Sequence, residues 1–229
     1  MEALQLGVRH MPPLDWSAAY GTSAARSLQE RVIDDRDLGL DILDWLVGTT
    51  ATDSQAGDLH RILTLGGSAW EITRTEDRRF MLTHRAIGPV VQAIEHIQPV
   101  SDRAHKHLLS AWTKLMGRNP DPSASYRESV RAVEAAAKPV VLPDDELATL
   151  GKMIRAIEDK PEKWAYVLGG TTPEDVARMA ASIWTGQLDR HGTDDESEPL
   201  HVSQEQADAA FHVALALTRI FAGRLIDTA

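Results

Sequence analysis

The chain of 229 residues contains no cysteine, and this absence excludes a large part of protein chemistry. Disulfide bonds, zinc–thiolate sites, iron–sulfur clusters and thiol nucleophiles all require the missing side chain. No apolar run approaches the roughly 18 residues that a membrane-spanning helix needs. The first twenty residues lack the basic and apolar stretches of a secretory signal. We therefore expect a cytoplasmic protein with no membrane partner, no metal and no cofactor.

Basic side chains are also scarce relative to acidic ones. The sequence has 24 lysines and arginines against 34 aspartates and glutamates, a formal net charge of −10. An acidic surface repels phosphate backbones and anionic lipids. The overall charge therefore gives no support for an RNA partner, although a local basic patch leaves that class open. Hydrophobic residues make up 43% of the chain, which is enough for a packed core.

Apolar side chains recur at helical spacing through most of the sequence. One such face carries Leu38, Ile42, Trp45 and Leu46. Gly66–Gly67 and Lys138–Pro139 are typical of helix ends. Residues 203–206 form a capping box that opens a final alanine-rich helix of about five turns. We predict eight to nine helices in total.

A short stretch breaks the helical period. Trp70 and Ile72 alternate with polar residues, and a second apolar run follows a charged tip at residues 74–79. This pattern predicts a β-hairpin at about 69–82. Because an isolated hairpin is marginally stable in water, we expect it to lie against helices.

These patterns predict a mostly α fold in three parts. Residues 1–22 form a lead-in segment, and residues 23–99 form a helical domain that contains the hairpin. Residues 100–229 form a helical bundle, whose firmest internal break is the turn at 117–122.

The stretch from about His107 to Ile226 resembles a known family. The matching pieces, in order, are Ala111–Trp112, 117–123, 126–135, Thr149–Gly151 and Arg190–Gly192 before a long last helix. Their order and spacing are similar to the abortive-infection C-terminal domain of actinobacterial proteins, a relative of the HEPN helical superfamily. The resemblance implies a HEPN-like bundle, a bacterial antiviral-defence or stress-response setting, and a homodimer.

HEPN ribonucleases pair a histidine with a preceding arginine, with four to six residues between the two. If His191 is that histidine, the arginine position falls on Trp184, Thr185 or Gly186, so the motif is broken. Arg190 is adjacent to His191 instead. The resemblance leaves Arg190, His191 and, from the facing helix, Arg131 as candidate catalytic residues. Asp189, Gly192, Glu134 and Arg127 are candidate binding residues around them.

Each of these candidates also has a structural interpretation. In this interpretation the segment 189–192 is a loop, in which His191 would cap a helix end and Gly192 would take a left-handed conformation. Arg131 and Glu134 form an ordinary ion pair on a solvated helix face. His105 and His107 point apart on one helix, so they chelate no common ion and are expected at the surface.

These residues and patterns are compatible with three functions. The first is a non-catalytic helical module that acts through contacts with a protein partner. The second is a metal-independent HEPN-type endoribonuclease with a displaced arginine, and the third is a sensor of a small molecule or peptide. Whether the protein is an enzyme is left open, with the broken motif favouring the first. The alanines of the last helix fit a dimer seam or an internal core equally well.

Overall fold

The computed structural model describes residues 22–75, 79–85, 88–188 and 202–229. Within these ranges the fold is mostly helical with one short hairpin in the N-terminal half, which confirms the predicted fold class. The helices are α1 (Thr22–Asp34), α2 (Arg36–Thr49), α3 (Asp53–Leu65), α4 (Gly88–Glu95), α5 (Asp102–Met116), α6 (Pro122–Val141), α7 (Leu150–Glu158), α8 (Pro173–Leu188) and α9 (Gln204–Ala222). The strands are β1 (Trp70–Arg74), β2 (Phe80–His84), β3 (Trp164–Tyr166) and β4 (Ile226–Thr228), and a 3-10 turn occupies Pro161–Lys163.

The first compact unit contains the described residues up to Arg85 together with Met116–Arg118. In it, β1 and β2 form an antiparallel hairpin with Ile72 opposite Leu82. Leu82 is fully buried, and its N–H donates to the Asp44 carboxylate of α2 at 2.7 Å. The expectation that the hairpin lies against helices is therefore confirmed.

Arg118 holds the segment Met116–Arg118 within this first unit. Its Nε donates to Asp41 at 2.5 Å and its Nη1 to Asp37 at 3.1 Å. The guanidinium also lies over the Trp70 ring, 5.6 Å from its centroid. Because the side chains of Arg118 and Asp41 are only 17% and 20% exposed, this ion pair is screened less than surface ion pairs are.

The second compact unit comprises the described residues from 88 to Leu115 and from Asn119 to Ala229. Its core forms where α6 and α9 pack along each other. Ala207, Ala210 and Ala214 of α9 are buried in this core, and their small side chains permit close approach of the helices. These alanines therefore serve an internal seam. Helix α4 also belongs to this unit. The predicted boundary between residues 23–99 and 100–229 stays a prediction.

Two features of the second unit differ from what the sequence patterns predict. Helix α6 does not end at Lys138–Pro139 but continues to Val141. Pro139 has no backbone N–H, so the helix lacks one backbone hydrogen bond in its last turn. Val141, two residues later, is buried, and this burial offsets the cost of the missing hydrogen bond. The antiparallel pair β3–β4 was not predicted, because each strand has only three residues.

Gly151 provides a test of the packing between α7 and α8. A Cβ on Gly151 would lie 2.6 Å from Nε1 of Trp184, inside van der Waals contact. We expect Gly151→Ala to lower the free energy of unfolding by about 1–2 kcal/mol, because the indole ring must shift. Gly57 lies inside α3 with open space at its Cβ position, so the control Gly57→Ala should raise stability by about 0.5–1 kcal/mol. Equal effects in urea unfolding would contradict this account.

Thr218 provides a test of polar burial in α9. Its hydroxyl is fully buried and has no hydrogen-bond partner within the described ranges. We expect Thr218→Val to leave stability unchanged or raise it by about 1 kcal/mol, because the desolvated hydroxyl is removed. The buried Thr113 donates to the Leu109 carbonyl at 2.8 Å, so Thr113→Val should instead destabilise the fold. Thermal unfolding of both variants measures the change in stability. A larger loss of stability in Thr218→Val than in Thr113→Val would contradict the prediction.

Candidate functional site between helices α5 and α6

The predicted site is only partly within the structure. Asp189, Arg190, His191 and Gly192 lie outside the described residues. The predictions made for these four residues therefore stay predictions. The remaining candidates, Arg127, Arg131 and Glu134, lie on α6.

The contacts of α6 differ from the expected Arg131–Glu134 ion pair. Nη1 of Arg131 donates to Oε1 of Glu128 at 2.8 Å, one turn in the opposite direction. Glu134 accepts the backbone N–H of Leu150 at 2.8 Å, at the start of α7. The predicted pair is thus wrong, because α7 supplies Glu134 with a competing donor. Arg127 is exposed on the same helix.

A histidine from α5 completes the polar group around Glu128. Nδ1 of His107 lies 2.7 Å from Oε2 of Glu128. The two side chains are only 19% and 10% exposed, so the prediction of a surface histidine is wrong for His107. The pairing joins residues 21 positions apart and depends on how α5 is rotated against α6.

Two further α5 side chains extend this group, which we call the His107 cluster: His107, Ser110, Lys114, Glu128 and Arg131. Nζ of Lys114 lies 2.5 Å from the hydroxyl of Ser110, which is buried. This row of α5 side chains was not predicted from the sequence. The signal that could have revealed it is spacing, since residues three and seven positions after His107 share its helix face.

The charges of the His107 cluster shift the ionisation of its carboxyl group. Burial by itself raises the pKa of Glu128. The hydrogen bond from His107 and the positive charges of Lys114, His107 and Arg131 outweigh burial and hold this pKa below its usual range. Glu128 is therefore a carboxylate at neutral pH, with one oxygen on His107 and the other on Arg131.

An ionised Glu128 also determines the tautomer of His107. Because a carboxylate only accepts hydrogen bonds, Nδ1 of His107 must carry the proton that it shares with Glu128. Nε2, on the far edge of the ring, then has a free lone pair when the ring is neutral. A carboxylate-oriented imidazole of this kind suits proton transfer or ligand binding.

Comparisons with protein-family models, with curated proteins and with solved structures find no match to this chain. The described residues contain no group of three histidine, aspartate or glutamate side chains that could hold a metal ion. No helix within those residues combines the length and hydropathy required to cross a membrane. The evidence for the candidate site is therefore the contacts among its own side chains.

The lowered pKa of Glu128 predicts a pH-dependent contribution to stability. A carboxyl whose folded pKa lies below its unfolded value of about 4.3 stabilises the fold above that pH. The contribution is lost as the pH falls through the folded value. We expect Glu128→Gln to cost about 1–2 kcal/mol near neutral pH and progressively less in acid. Urea unfolding of both proteins across this range measures the difference.

The matched control is the ion pair at the start of α5. Lys106 and Asp102 lie 2.6 Å apart with both side chains more than 60% exposed, so solvent screens the interaction. Lys106→Gln breaks this pair and keeps the Asp102 charge at the N-terminus of α5, so it should leave stability nearly unchanged at every pH. A Glu128→Gln penalty that is independent of pH would show that shape, rather than charge, sets the role of Glu128.

Proposed function

We propose that this chain is a helical interaction module that acts through contacts with a protein partner. The resemblance of its C-terminal part suggests a phage-defence or stress-response setting. The observation that carries the proposal is a pair of exposed aliphatic side chains on a defined turn. Val167 and Leu168 are 69% and 56% exposed, whereas valine and leucine side chains are more often buried.

Hydrogen bonds hold this turn on both sides. The N–H of Val167 donates to the Leu225 carbonyl at 2.9 Å, which continues the pairing of β3 with β4. The Thr171 hydroxyl donates to the Leu168 carbonyl at 2.6 Å. A turn that is already ordered loses less conformational entropy on binding than a free loop does. Exposed apolar side chains on such a turn suit protein recognition.

The contacts of α6 also favour this function over RNA cleavage. Arg131 and Glu134, which the ribonuclease interpretation assigns to the site, each contact a group within the fold. The alanine seam of α9 is buried inside the unit. A second copy of the chain would therefore dock on another surface, and the exposed Val167–Leu168 turn is such a surface.

Cross-linking in the cells that produce the protein tests the proposal. We expect cross-linked partner peptides, from another protein or a second copy, to map near the Val167–Leu168 turn. Val167→Ser with Leu168→Ser should remove them, because serine contributes little apolar area. The matched control is Leu147→Ser, since Leu147 is 78% exposed between α6 and α7. Equal loss of cross-links in both variants would contradict docking at this turn.

An RNA assay tests the competing function directly. We expect the purified protein to leave total RNA and tRNA intact. Cleavage that disappears in His191→Ala would overturn the interaction-module proposal in favour of the ribonuclease. Cleavage that His191→Ala leaves unchanged would point to a contaminating nuclease. The assay is then repeated with protein purified free of that nuclease, and intact RNA in the repeat would support the interaction module.

A further inference from the structure

We propose that β2 and α2 form a binding surface for an extended protein segment that presents an arginine, and that residues 116–118 of the chain itself occupy this surface as an autoinhibitory strap. The partner that fits the surface is another protein with such a segment. All of the residues concerned belong to the first unit. The inference therefore goes beyond the proposed docking turn and does not depend on it.

The strap lies along β2 as a short third strand. Thr83 of β2 and Gly117 form an antiparallel bridge, and the N–H of Arg118 donates to the Leu82 carbonyl at 2.9 Å. Thr83 and Gly117 are both buried. Since β1 pairs with the other edge of β2, the strap covers the edge that β1 leaves open. Sheet edges of this kind capture extended peptides through main-chain hydrogen bonds.

The contacts of the strap are concentrated in the Arg118 side chain. Within the described residues, one bridged pair joins the strap to β2, so the main-chain pairing is short. The guanidinium, by contrast, donates to the carboxylates of Asp41 and Asp37 and to the Asp37 carbonyl, and it lies over the Trp70 ring. Because a lysine ammonium offers no planar fork for two carboxylates, this surface is selective for arginine on an extended backbone.

The two carboxylates give an incoming arginine a place to begin. Asp37 and Asp41 share one guanidinium, and the Asp37 side chain is 80% exposed. A second arginine can therefore pair with Asp37 before Arg118 leaves Asp41. Exchange in this order never leaves the largely buried Asp41 carboxylate without a counter-ion, which would be costly.

Covalent attachment keeps the surface closed in the unaltered chain. A segment of the same chain is present at a high effective concentration, so a separate peptide with equal contacts competes poorly with it. Removing the Arg118 guanidinium weakens the strap and leaves Asp37, Asp41 and β2 in place. The surface should then accept a separate segment.

Fluorescence anisotropy with the full chain tests this inference. The probes are a labelled peptide with the sequence of residues 114–119 and a second peptide with glutamine in place of its arginine. We expect the arginine peptide to bind Arg118→Gln at least tenfold more tightly than it binds the unaltered chain. The glutamine peptide should bind Arg118→Gln about tenfold more weakly than the arginine peptide does, as the loss of one charge-assisted hydrogen bond implies. Adding Asp41→Asn to Arg118→Gln should weaken binding of the arginine peptide by a similar factor.

The matched control is Arg74→Gln in the same hairpin. Arg74 also pairs with a helix aspartate, Asp53, at 2.9 Å, and it lies 5.2 Å from the centroid of the Phe80 ring. Because Arg74 is not part of the strap, Arg74→Gln should bind the arginine peptide as poorly as the unaltered chain does.

Circular dichroism establishes that each variant is folded. If Arg118→Gln does not fold, Arg118→Lys takes its place, because lysine keeps the charge but cannot fork between two carboxylates. Three results would each overturn the proposal: no binding of the arginine peptide to the folded strap variant, equal binding of the two peptides, or equal binding of the arginine peptide to the strap variant and to Arg74→Gln.

Discussion

The close packing of α6 against α9 is the constraint on which the second unit depends. Buried alanines on both helices, such as Ala132, Ala136 and Ala214, remove the bulk that would keep the two backbones apart. Phe211 and Phe221 are buried on α9, and the Phe211 ring also packs at a tilt against Trp112 of α5, with the ring centroids 5.4 Å apart. Because cores are packed as tightly as organic crystals, this arrangement fixes the rotation of α6.

The rotation of α6 then decides which polar groups meet. Glu128 lies at the border of the buried face, where it reaches α5, and Glu134 reaches the first residue of α7. A rotation of one residue position, about 100°, would separate both carboxylates from their partners. The chemistry of the His107 cluster is thus a consequence of hydrophobic packing rather than an independent feature.

The same unit uses its C-terminal strand to support the Val167–Leu168 turn. The chain reverses after α9 at Arg224, whose φ of 48° is uncommon for a residue with a side chain. The Arg224 guanidinium donates to Asp227 at 2.8 Å across this reversal. The turn and the His107 cluster therefore have different supports, a strand pair for the first and a helix pair for the second.

The sequence by itself determined the helical elements, the hairpin and several helix ends. Gly67 with a φ of 65° ends α3, and Ser203 with Gln206 caps α9, as local patterns predicted. These features depend on residues a few positions apart, so local spacing reveals them. Only the tertiary structure decided the partners of Arg131 and His107, the continuation of α6 through Pro139 and the pairing of β3 with β4. Such contacts join distant parts of the chain through helix rotation and packing, and no local period records either.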